Sequence, residues 1–112
     1  MQNLMVQMVK PAMQNINALN NQVVWQSESA RLTLPEVVSI DVLPKLIKQN
    51  RWLSLPVKQV CFKQVQKGDS AILSLILLWA QQSQSPVQIF DFPAQFNPLI
   101  ELYDLHTVVD FK

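Results

Sequence analysis

Apolar and polar positions along this chain follow two rhythms, alternation at period two and recurrence near every third or fourth residue, and each switch between them marks an element. The β-rich runs at 23–26 and 31–34 flank a polar Ser-Glu-Ser turn and predict a hairpin. Residues 35–50, PEVVSIDVLPKLIKQN, place Val37, Val38, Val42, Leu46 and Ile47 near helical spacing behind Pro35, which suits a helix start. Pro44 lies inside that pattern, where a proline removes an amide donor and clashes with the preceding turn. The helix is therefore expected in two pieces, the second beginning between residues 41 and 44. A β-branched, aromatic run at 57–65, VKQVCFKQV, predicts a strand, and QKGD after it a turn. Gly68, the only glycine, is expected to hold a backbone angle there that other residues resist.

A helix over 70–83, a strand over 87–93 and a last helix over 94–105, with Asn97-Pro98 in its first turn, complete the pattern. The order β, β, α, β, α, β, α predicts an α/β fold. Its small mixed sheet opens on a hairpin, runs parallel over most of its width and is connected by crossover helices. Residues 1–22, with all four Met and a run of Asn and Gln, read as a flexible N-terminal extension ahead of one domain over 23–112.

The stretch at 67–82, KGDSAILSLILLWAQQ, is more apolar than a surface helix should be. At about 100° per residue, Ile72, Leu75, Ile76 and Trp79 gather on the side that suits a sheet, and Ser70, Ser74 and Gln81 gather opposite. Leu73, Leu77 and Leu78 fall beside that polar stripe. Either another helix of the domain covers these leucines, or they form an interface ridge awaiting a partner.

Composition narrows the function classes. Nine Lys and Arg against eight Asp and Glu give a formal net charge of +1, and the scattered cations offer no field for nucleic acid. The single cysteine, Cys61, sits in an apolar run and reads as a buried small hydrophobe in a reducing compartment. No Cys or His cluster has metal-ligand spacing, and one glycine cannot build a phosphate cradle, so neither metal nor cofactor is expected. Asp69 and Ser70 lack a local base, and His106 has no identifiable partner, which argues against an enzyme. The apolar runs are about half of the ~20 residues a bilayer span needs, and Lys10-Pro11 interrupts the N-terminal one, so neither export nor direct membrane insertion is expected.

GDSAILSLILLWAQQSQSPVQIFDFP resembles the STAS domain, the fold of anti-sigma factor antagonists, and most closely its MlaB-type version in a bacterial phospholipid transporter. Family members read as an apolar strand, Asp-Ser/Thr-x-Gly-Leu opening a leucine-rich helix, a polar turn, a strand and a helix ending in a Leu-Tyr-Gly-like sequence. Asp69, Ser70 and Leu73 match the first motif, Trp79 stands where many members have an aromatic, and LIELYDL resembles the last. The resemblance covers about residues 23–109, with Ile72 and Asp104 in place of family glycines.

The resemblance implies a non-catalytic accessory subunit. It would bind the cytoplasmic ATPase of a phospholipid ABC transporter that maintains outer-membrane lipid asymmetry, and would be cytoplasmic, peripheral to the inner membrane through that complex. Its contact surface would comprise Asp69, Ser70, Leu73, Ser74, Leu77, Leu78 and Gln81. The alternative is an anti-sigma factor antagonist whose partner kinase phosphorylates Ser70. A phosphate there adds about −1.5 to −2 charge at a helix N-terminus, which tolerates it, while an apolar partner surface does not.

Overall fold

The computed structural model describes residues 23–112, a mixed α/β fold; the expected N-terminal extension, residues 1–22, lies outside the described residues. Strand β1 (Val24–Gln26) turns through Ala30, held at φ 54°, into β2 (Arg31–Thr33), so the expected hairpin forms and pairs antiparallel with Trp25 opposite Leu32. The chain continues through β3 (Val37–Val38), α1 (Leu43–Asn50), β4 (Gln59–Cys61), β5 (Lys67–Gly68), α2 (Ala71–Ser83), β6 (Val87–Phe90), α3 (Asn97–Leu102) and β7 (Val109–Phe111).

The main sheet has the order β1-β2-β4-β6-β7, and every pairing after the hairpin is parallel. Strands that step across a sheet in one direction with right-handed crossovers put their helices on one face. The register agrees: Trp25, Leu32, Val60, Ile89 and Phe111 lie in one row facing the core, while Gln26, Gln59, Gln88 and Asp110 alternate outward.

Several expectations are corrected, beginning with QKGD, whose Lys67 and Gly68 form strand β5 rather than a turn, and the strand over 87–93, which ends at Phe90. Residues 35–42 are not helical: Val37 and Val38 pair in parallel with Lys67 and Gly68 as a separate two-stranded ribbon, and the helix begins at Leu43 with Pro44 in its first turn. A proline is welcome there because the first-turn amide has no intrahelical partner. The strand expected over 57–65 shortens to Gln59–Cys61, because Val65 N–H turns back to the Phe62 carbonyl at 2.9 Å.

Gly68 has no left-handed angle, so its expected backbone role does not hold. A Cβ added there would stand 2.9 Å from Val38 Cγ2 and 3.2 Å from Phe96 Cζ; space, not conformation, demands glycine. The last helix is also broken up, with 3₁₀ turns at Ala94–Phe96 and Leu105–Thr107 on either side of α3, and β7 then closes the sheet edge.

Two aromatic groups fill the core. Trp79 Nε1 donates to the Trp52 carbonyl at 3.0 Å and the rings meet edge-on at 6.2 Å, which fastens α2 to the turn after α1. Phe62, Phe92, Phe96 and Phe111 pack in edge and tilted pairs under the C-terminal segment. Cys61 is buried as expected, its thiol 3.8 Å from Asp91 Oδ2. No helix among the described residues is long and apolar enough to cross a membrane.

Candidate functional site

The polar stripe of α2 begins with Asp69, and its carboxylate organises the site. Oδ1 accepts the Ala71 N–H at 3.0 Å, satisfying one of the free amides of the helix's first turn, and Oδ2 accepts the Ile40 N–H at 3.0 Å from the connection between β3 and α1. One side chain therefore starts the helix and ties a neighbouring loop to it. Ser70 precedes the helix with a helical backbone, φ −66° and ψ −10°, and its hydroxyl makes no capping bond; the side-chain bond to the first turn comes from Asp69.

The helical wheel holds on the sheet side: Ile72, Leu75, Ile76 and Trp79 are all buried. Leu73, placed beside the polar stripe by the wheel, is 2% exposed and joins the core while also lining the groove toward Tyr103. Leu77 and Leu78 are half-buried against the core, which divides the two readings of those leucines. Ser74 and Gln81 are exposed and Ser70 is half-buried.

Two shallow grooves flank the N-terminal half of α2, and Ser74 is common to both; Gln81 lines a third, with Leu77 and Ala80, toward Val108. On one side Ile40, Pro44, Ile47 and Leu78 line the depression between α1 and α2. On the other, Ile40, Ser70, Leu77 and Tyr103 line the depression between α2 and the end of α3. Ile40 is 62% exposed and Tyr103 44%, large apolar surfaces beside small hydroxyl groups. The sequence pattern did not single out Ile40. Its available signal was a bulky β-branched residue between Ser39 and Asp41, two polar residues that hydrogen-bond each other.

The electrostatics next to this face are mild. Ser39 Oγ donates to Asp41 Oδ1 at 2.6 Å, and that bond, with a backbone bond and the Lys67 charge, holds the Asp41 carboxyl below its ordinary value. His106 lies against Asp104 at 3.9 Å on the exposed C-terminal segment. Among the described residues no group of three or more His, Cys, Asp or Glu could hold a metal. The arrangement offers a surface for contact: small hydroxyls on a crest, apolar grooves on both sides and one carboxylate fixing the geometry. Compared with protein-family models, with curated protein sequences and with solved structures, the chain shows no match.

Proposed function

We propose that this chain is a STAS-like, MlaB-type accessory subunit, without catalysis of its own, that docks the face around Ser70 and Ser74 on the cytoplasmic ATPase of a phospholipid ABC transporter. The observation that carries the reading is the crest of α2, where Ser74 stands between two apolar grooves that share the exposed Ile40, the one toward Tyr103 also lined by Ser70. Burial of apolar surface of that kind suits a lasting subunit contact, since stable interfaces are more apolar than transient ones.

Two local features support the STAS-like resemblance. Asp69 both caps α2 and holds the adjacent loop, a structural reason for an Asp before the Ser. Asp104, at the position of a family glycine, has φ 53° and ψ 45°, a left-handed conformation that glycine adopts freely and Asp tolerates better than most residues.

A second reading, an anti-sigma factor antagonist, is favoured by one observation: the Ser70 hydroxyl makes no capping bond, so its phosphorylation would remove no cap from α2. Affinity purification of the full chain from native membranes separates the two. Recovery of an ATPase with its permease supports the transporter subunit, and recovery of a soluble kinase-like protein supports the antagonist.

A further inference from the structure

The formal net charge of +1 conceals a segregation. Residues 42–68 carry Lys45, Lys48, Arg51, Lys58, Lys63 and Lys67 and no acidic residue. Residues 69–112 carry Asp69, Asp91, Glu101, Asp104 and Asp110 against Lys112 alone among Lys and Arg. The fold sets part of each group on opposite flanks of α2, because α1 belongs to the β2-β4 side of the sheet and α3 to the β6-β7 side.

Each flank combines charge mainly of one sign with exposed apolar surface, Asp41 just ahead of α1 being the acidic exception on the basic side. On the α1 side Lys48 and Arg51 border Pro44, Ile47 and Leu53, and Leu53 is 51% exposed. On the α3 side Glu101 and Asp104 bracket Leu102, 72% exposed, and Tyr103, 44% exposed. The ion pairs among the described residues are His106–Asp104 at 3.9 Å and Lys112–Asp110 at 3.1 Å, so Lys48, Arg51 and Glu101 are in none of them.

We infer that a second copy of this chain docks on the helical face, with the two-fold axis running along α2. In a face-to-face pair the two-fold axis must lie in the interface plane. An axis across the helices would set cations on cations. An axis along α2 sets the Lys48–Arg51 flank of each copy over the Glu101–Asp104 flank of the other, with the small residues of α2 meeting at the centre. Both apolar flanks are then covered and both charge sets are matched. A weak net charge leaves no long-range repulsion to oppose the pair. An anionic lipid surface would match the basic flank alone, repel the acidic one and leave Leu102 and Tyr103 in water. The second copy covers Ser70 and Ser74 as well, so self-pairing and the proposed ATPase contact exclude one another; that consequence alone rests on the proposed function.

Sedimentation velocity on the full chain tests the inference, with charge-reversal variants that leave α2 untouched. The unmodified chain is expected to form a two-copy species that dissociates as ionic strength rises from about 0.1 to about 1 M, where the screening length falls from about 10 to about 3 Å. Lys48→Glu with Arg51→Glu makes both flanks acidic, and Glu101→Lys with Asp104→Lys makes both basic. Each double variant alone should sediment as a monomer, and an equimolar mixture should restore the two-copy species. A chain that stays monomeric at every soluble concentration overturns the inference, as does a pair indifferent to salt or a mixture of folded variants that fails to associate. So does a monomer that pellets with phosphatidylglycerol vesicles through Lys48 and Arg51. Should a variant lose its circular dichroism, the salt response of the unmodified chain decides.

Discussion

Asp69 Oδ2 accepts the backbone N–H of Ile40 at 3.0 Å, across 29 residues of sequence, while its other oxygen caps α2 through Ala71. The helix start and the most exposed apolar edge of the site are thus positioned by one carboxylate. Asp69→Ala should lower stability by about 1 to 2 kcal/mol, the usual cost of a lost cap. Ser70→Ala should change it by less than about 0.5 kcal/mol, because that hydroxyl makes no capping bond. Chemical denaturation of the two variants checks the assignment, and the reverse ranking would assign the cap to the Ser70 hydroxyl instead.

Gly68 is held to glycine by its neighbours. Gly68→Ala should cost about 1 to 3 kcal/mol through overpacking, since the new methyl meets Val38 Cγ2 at 2.9 Å and Phe96 Cζ at 3.2 Å. Adding Val38→Ala should recover part of that loss, a coupling readable from a double-mutant cycle. Equal and additive losses would place the strain elsewhere.

Leu73 and Leu77 look alike in sequence and should behave differently. Leu73→Ala removes a side chain that is 2% exposed and should cost about 2 to 5 kcal/mol of stability. Leu77 is half-buried at the edge of the groove with Tyr103, so Leu77→Asp should act on partner capture more than on folding. Thermal melts and pull-downs on both variants read the split.

The Ser39–Asp41 bond predicts a pH response with a definite sign. The hydroxyl at 2.6 Å favours the charged carboxylate, so its contribution is full above the ordinary Asp value and is lost as pH falls through the lowered one. Ser39→Ala should move the Asp41 titration, followed by carboxyl NMR shifts, up toward the ordinary value. An unmoved titration would assign the effect to Lys67 or to the backbone.

The sequence pattern reached the hairpin, α2 and the sheet-facing residues of that helix, because each is dictated by apolar spacing within one short stretch. It read Pro44 correctly as a helix boundary but not Val37 and Val38, whose β-branched pairing is with a segment beyond α1. Strand β7 was missed although Val109 inward, Asp110 outward and Phe111 inward alternate over its three residues; so short a run carries little signal. The burial of Leu73, the crowding around Gly68 and the reach of Asp69 to Ile40 are contacts between distant parts of the chain. Helical periodicity cannot show them, and the α2 face was legible only in outline for that reason.

If the face around Ser70 makes the proposed contact with a transporter ATPase, an anion there breaks it. The most direct measurement is the ATPase rate and subunit recovery of the purified transporter complex carrying the unmodified chain, Ser70→Ala or Ser70→Glu. Ser70→Ala should keep most of the activity and remain bound, while Ser70→Glu should keep its circular dichroism but leave the complex. Retention of a folded Ser70→Glu chain at full activity would contradict it.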